Sequence, residues 1–137
     1  MESEKVPDSR GRQAIFPEGY PQPRAPLSPA VDVGDYVFVS GQVPLDPSLG
    51  RTITDQPFEA QAIRTLENVR AVLKSAGLDT EDVVRVGVYL SDLKHFAEFN
   101  EIYRRYFASE PLPARTTVQA QLIGNVMVEV DCIALRR

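Results

Sequence analysis

Two alternating runs near the end of the chain restrict its fold more than any other feature. In the run from about Arg115 to Leu122, Thr116, Val118, Ala120 and Leu122 share one parity, and Arg115, Thr117, Gln119 and Gln121 share the other. In the run from about Val126 to Leu135, Val126, Val128, Val130 and Cys132 alternate with Met127, Glu129, Asp131, Ile133 and Leu135. Successive side chains of a strand point to opposite faces, so each run reads as a strand with one smooth apolar face and one mixed face. The apolar parity is expected to pack under helices. The mixed parity sets Arg115, Glu129 and Asp131 among Met127, Ile133 and Leu135. A wet sheet face accounts for the charges. A second subunit laid over that face accounts for the large apolar residues too, and leaves the charges in need of partners or a ligand.

The rest of the chain supplies the helices that such a sheet needs. Val31–Asp35 reads as a short strand and turn, and Tyr36–Ser40 as a strand that stops at Gly41. Pro44 to Gly50 reads as a loop. A first helix is expected after an Asp55 cap, with Pro57 in its first turn, Ile63, Leu66, Val69, Leu73 and Ala76 at helical spacing, and Gly77 as its left-handed end. Val84, Val86, Val88 and Leu90 alternate as a half-buried strand. A second helix follows a Ser91 or Asp92 cap, carries Phe96, Phe99, Ile102 or Tyr103, and Tyr106, and ends by Pro111 and Pro113. Strands, helix, strand, helix, strands make an α+β layer with two helices on one face of a sheet. At 137 residues the chain suits one domain, from 25 to 137. Residues 1–24, with four prolines and two glycines, are expected to be a flexible or extended arm.

Charge and composition narrow the partners. The formal net charge is −4 and no basic stripe interrupts it, which disfavours nucleic acid. No apolar run is long enough to span a membrane, and no targeting segment precedes the domain, so a cytoplasmic home is expected. His95 is the one histidine and has no ligand pattern around it, so no metal site is expected. Cys132 falls on the helix-facing parity, as an inert buried thiol would. No glycine-rich phosphate loop or dinucleotide fingerprint is present, and no cofactor is expected.

Five motifs then resemble one family. Ser40-Gly41-Gln42-Val43-Pro44 is similar to the S-G-Q-[IV]-P segment of RidA (YjgF-type) proteins. Asn68-Val69 with Ala76-Gly77-Leu78 is similar to their helix end, and Asp92-Leu93, Phe96 and Phe99-Asn100-x-x-Tyr103 to their second helix. Pro113-Ala114-Arg115-Thr116-Thr117-Val118 resembles their P-A-R-[ST]-x-V segment, and Val128-Glu129-Val130-Asp131-Cys132-Ile133-Ala134 their last strand. The likeness runs in order from about Pro26 to Arg137.

The resemblance implies a chorismate-mutase-like fold, a homotrimer with its sheets facing inward, and clefts between subunits. It implies hydrolysis of reactive 2-imino or 2-enamino acids, such as 2-aminoacrylate, to 2-oxo acids and ammonia. The family's carboxylate-binding arginine falls on Arg115, whose planar fork grips a carboxylate as lysine cannot. Its water-side acid falls on Glu129. Gly41 falls where backbone approaches ligand, and Asn100 and Tyr103 lie on the helix beside the cleft. Alternatives to these roles are a structural pairing of Arg115 with Glu129 or Asp131, and helix packing for Asn100 and Tyr103. Asp131 reads as structural. Two departures bear on substrate: Leu27 stands where many relatives have a tyrosine, and Thr117 where a cysteine is frequent. Both positions are expected to touch substrate. Two other functions fit the same residues. One is a pathway-specific enamine deaminase of the aminoacrylate or aminomuconate kind. The other is a non-catalytic trimer that binds a small carboxylate.

Overall fold

β-Branched residues at every second position build the sheet, and they set which face the helices cover. The computed structural model describes residues 10–136. Its elements are β1 (Gln13–Ile15), β2 (Ala30–Asp32), β3 (Tyr36–Gln42), β4 (Leu45–Asp46), β5 (Arg51–Thr52), α1 (Phe58–Ser75), β6 (Val83–Leu90), α2 (Phe96–Tyr103), β7 (Ala114–Gln119) and β8 (Val128–Leu135). Six strands form one sheet in the order β1-β2-β3-β8-β6-β7. β6 and β7 pair in parallel, and the other neighbours are antiparallel, so the sheet is mixed. Val37 and Val39 of β3, Val86 and Val88 of β6, and Val128, Val130, Cys132 and Ala134 of β8 point to one face and are buried. Leu66, Val69 and Leu73 of α1 and Phe99 and Ile102 of α2 cover that face. Fully burying each large aliphatic chain contributes about 1.5–3 kcal/mol. Both helices lie on this one side, as the strand parities of β8 require.

α1 closes as its sequence suggests and opens otherwise. Gly77 takes φ +80°, and the amides of Gly77 and Leu78 donate to the carbonyls of Lys74 and Leu73. That pattern satisfies the last carbonyls of the helix. At the start, Pro57 and not Asp55 is the cap residue, with no side-chain capping bond. Asp55 lies 3.5 Å from Arg51 instead. Asp92 caps a 3-10 turn, Leu93–His95, that leads into α2, and α2 stops at Tyr103, well before Pro111. The loop expected at 44–50 holds β4, which pairs with β5. Within the segment expected as an arm, Gln13–Ile15 adds to the sheet edge beside β2. Residues 1–9 of that arm, and Arg137, lie outside the described residues.

Two parity expectations are corrected. A register shift between Val83 and Arg85 turns Val84 outward, and Val83 is buried in its place. A bulge adds one residue to a strand and inverts the parity on its far side. The larger correction concerns β7, which ends at Gln119 rather than Leu122. Arg115 is level with Val86 and Thr117 with Val88, so these two polar residues lie on the helix side. Thr116 and Val118 are level with Gly87 and Tyr89 and lie on the open side, with Glu129 and Asp131. Apolarity misassigned the face because β7 is an edge strand at the margin of the helix layer. Its helix-side positions border a cleft rather than the core, and Val118, 41% exposed, faces away.

Candidate functional site

The helix-side cleft is built on Arg115. β7 aims its side chain at α2, where Phe96, Asn100 and Tyr103 follow one another at spacings of four and three and so share a face. Arg115 Nη2 donates to Asn100 Oδ1 at 2.7 Å, and Nε donates to Thr117 Oγ1 at 2.8 Å. The guanidinium carbon lies 4.5 Å from the Tyr103 ring centroid, 5.3 Å from that of Phe99 and 5.7 Å from that of Phe96. No acid among the described residues lies within ion-pair distance of Arg115. The expected alternative of an Arg115 pair with Glu129 or Asp131 within one chain therefore does not occur. Burial pulls the guanidinium below the usual arginine pKa, and it remains a cation at any working pH. Burial pushes the Tyr103 phenol up to about 12, so it stays protonated. The cleft measures about 520 Å³, and Phe107 and Leu112 continue its apolar wall beyond the arginine.

The second group of residues lies on the open side of the sheet. A register shift between Val39 and Gln42 lets β3 turn Gly41 toward Glu129 of β8. A Cβ on residue 41 would overlap the Glu129 carboxylate, which explains the glycine. Burial, and then the charge of Asp131, raise the Glu129 carboxyl above the ordinary carboxylate pKa. The Tyr89 hydroxyl donates to Asp131 Oδ2 at 2.9 Å. Ser40 ties this region to the segment before β2: its Oγ donates to the Ser28 carbonyl at 2.6 Å, and its amide donates to the Pro29 carbonyl. Leu27, 51% exposed, lies with Gly41 and Gln42 along a neighbouring cleft of about 520 Å³.

The residues expected to form one site thus divide. Arg115, Thr117, Asn100 and Tyr103 come together on the helix side, Glu129 meets Gly41 on the open side, and Leu27 lines a separate cleft with Gly41 and Gln42. Within one chain the sheet separates Arg115 from Glu129. Two residues escaped the sequence reading. Phe96, placed by the sequence on the second helix with no site role, is 46% exposed and faces Arg115. Its four-residue spacing from Asn100 was the available signal. Tyr20, in the proline-rich segment, donates from its hydroxyl to Asn68 Oδ1 at 2.7 Å, while Asn68 Nδ2 donates to the carbonyls of Val43 and Leu45. That long-range network, which shapes the Leu27 cleft, had no local signal. Among the described residues no cluster of potential metal ligands occurs, and no helix is long and apolar enough to cross a membrane.

Comparison with known proteins finds one family throughout. The family profile described as Endoribonuclease L-PSP matches residues 18–136. A RutC family protein of Saccharolobus solfataricus is 44% identical over 124 residues, which span 90% of this chain and 97% of that protein. The 2-iminobutanoate/2-iminopropanoate deaminase of Salmonella typhimurium is 38% identical over 128 residues, 91% of this chain and 98% of that enzyme. Among solved structures, E. coli TdcF with bound serine superposes with a TM-score of 0.83 at 34% identity, covering 91% of this chain and 99% of that one. RidA of an Antarctic Psychrobacter species gives 0.84 at 37% identity, covering 90% and 99%.

Proposed function

Because the chain belongs to the Endoribonuclease L-PSP family, the group of the RutC and RidA (YjgF) proteins, we propose that it is a hydrolytic deaminase of reactive 2-imino and 2-enamino acids, working in clefts between the subunits of a homotrimer. One observation carries this reading: a half-buried arginine, fixed by Asn100 and Thr117, has no carboxylate partner among the described residues. A buried cation without a counter-ion is costly unless a ligand supplies one. The deaminase activity named for the Salmonella relative, and the serine bound to TdcF, involve small molecules that carry a carboxylate.

The division of the site across the sheet calls for a second copy. β7 is an edge strand, so the Arg115 cleft opens at the margin of the subunit. The open face displays Phe38, Val118 and Leu135 beside Glu129, and large exposed apolar residues of this kind mark a surface that another chain covers. A head-to-tail contact joins the margin of one copy to the open face of the next, and three such contacts close a ring with three equal clefts. Arg115 of one copy then faces Glu129 of its neighbour.

The reaction needs little more. Arg115 holds the substrate carboxylate, leaving the C=N carbon open to water. Water adds to the carbon of the protonated imine as Glu129 accepts one of its protons, giving a neutral tetrahedral carbinolamine. Glu129 passes that proton to the amino nitrogen, the C–N bond breaks, and ammonia leaves as the C=O bond forms and the hydroxyl proton returns to the Glu129 carboxylate. An imine is already electrophilic, so positioning and one proton relay suffice. A Glu129 carboxyl raised above its ordinary value is a stronger base for that relay.

Complementation tests the shared cleft. Arg115→Ala and Glu129→Gln chains should each be inactive alone in releasing ammonia from enzymatically generated imino acids. Co-assembled in equal amounts, they should recover roughly a quarter of wild-type activity, because half the clefts receive a native arginine and half of those a native glutamate. No recovery in mixed trimers would sink the shared cleft. Full activity of Glu129→Gln alone would favour a binder with an adventitious rate.

A further inference from the structure

Beside Glu129 the open face carries a second carboxylate with a dedicated donor. Asp131 follows Glu129 by two residues on the same face of β8, about 7 Å along the strand. Its Oδ2 accepts from the Tyr89 hydroxyl at 2.9 Å. Tyr89 is directly level with Glu129, and Gly87 is level with Asp131. A Cβ at residue 87 would overlap the Asp131 carboxylate, so the missing side chain makes the room in which Asp131 meets the tyrosine. Three residues on two strands thus hold one negative charge in a fixed place next to the proposed acid/base group.

Within one chain few other charges bear on Glu129. In the proposed trimer Arg115 of the neighbouring copy faces it too, a constant cation in the Asp131 and Tyr89 variants that acts opposite to Asp131. On β6, Arg85 lies two rows beyond Tyr89 and donates to the Val86 carbonyl. On β3, the residues beside β8 are Gly41, Gln42 and Phe38, with Tyr36 at the far end. On β7, the open-side residues are Thr116 and Val118, and Arg115 points through to the other face. Asp131 is the one anion of the group.

We propose that Asp131, held by the Tyr89 hydroxyl in the space above Gly87, sets the protonation of Glu129 and so tunes the pH at which the deaminase works. Asp131 and Tyr89 are positioning residues: they act on the reaction through Glu129. The inference rests on the catalytic reading of Glu129 only for its effect on rate. The coupling between the two carboxylates stands without it. Burial, the larger cause of the raised Glu129 pKa, remains when Asp131 is neutralised, so the coupling accounts for part of the shift.

The two neighbours should act in opposite directions. Asp131→Asn removes the charge and keeps an oxygen for Tyr89 to donate to, so the Glu129 midpoint should fall by about one pH unit. Tyr89→Phe removes the dipole that offsets the Asp131 charge, so the midpoint should rise by roughly half a unit. The measurement is the side-chain carboxyl ¹³C titration of Glu129 in the assembled protein, together with kcat/KM for 2-imino acids over the same pH range. The acidic limb of kcat/KM should follow the midpoint in each variant. A midpoint unmoved in both variants overturns the proposal, and so does movement of both in the same direction. If Asp131→Asn does not assemble, Tyr89→Phe decides alone, by a rise or by none. A midpoint that shifts as expected while the limb stays still supports the tuning and overturns the role of Glu129 in the reaction instead.

Discussion

Arg115 has three kinds of contact, and each makes a different demand on a substitute. Its Nη2 and Nε bonds need a planar fork, the aromatic rings beneath it need a delocalised cation, and the proposed substrate carboxylate would need its outward donors. Lysine meets none of these as a point charge, so Arg115→Lys should lose about 2–4 kcal/mol of transition-state binding, on the order of a hundredfold in kcat/KM. Full activity in Arg115→Ala would show that the anchor lies elsewhere. Glu129 yields a prediction about stability. Its folded pKa is raised, so its ionisation opposes folding as pH climbs through that value. Glu129→Gln should therefore melt above wild type at pH 7, with the gap closing as pH falls through the carboxylate range. Leu27, 51% exposed in its cleft, would present an apolar surface to substrate where the family resemblance expects a tyrosine hydroxyl. Bulkier imines should gain by about 0.8 kcal/mol for each extra buried methylene, so with two or three of them buried the imine from leucine should outrun that from alanine roughly ten- to fiftyfold in kcat/KM. Leu27→Tyr should reverse the order, and an unchanged order would place residue 27 outside the cleft.

Elements decide how far such residues can adjust. The bulge in β3 brings Gly41 against Glu129, and the atoms that a new Cβ would meet all belong to that one flexible side chain. Gly41→Ala should thus cost little stability, because the carboxylate can swing away. It should cost about tenfold or more in rate, because a displaced carboxylate no longer meets the water. A large drop in melting temperature with activity kept would contradict this account. β8 was legible in advance because it is a central strand with its partners on both sides, and the buried parity is the apolar one. β7 was misread because an edge strand by a cleft need not bury its apolar parity. α1 was legible at its C-terminus, where Gly77 has a local backbone reason, and misread at its start, where no side-chain cap exists.

For the whole molecule the open face is decisive. Phe38 is 44% exposed there, level with Ile133 and in the same face as Glu129. Phe38→Asp should abolish assembly and deaminase activity together, while far-ultraviolet circular dichroism stays close to wild type, because the helix-side core is untouched. Sedimentation equilibrium at micromolar wild-type protein should give close to three chain masses. A stable, active monomer would refute the inter-subunit cleft.

What the sequence determined by itself was local or periodic: one α+β domain, the parity of β8, the glycine that ends α1, and a set of residues whose order along the chain matched one family. These follow from strand and helix periods and from turn chemistry, which act over a few residues. The tertiary structure alone decided on which side of the sheet each of those residues lies. Strand register and bulges fix that, and a shift of one residue moves every later side chain to the opposite face. Hence Arg115 and Glu129, both named from the sequence, lie on opposite faces of one sheet. The Tyr89–Asp131 bond spans 42 residues of chain, and only the pairing of β6 with β8 brings its two ends together.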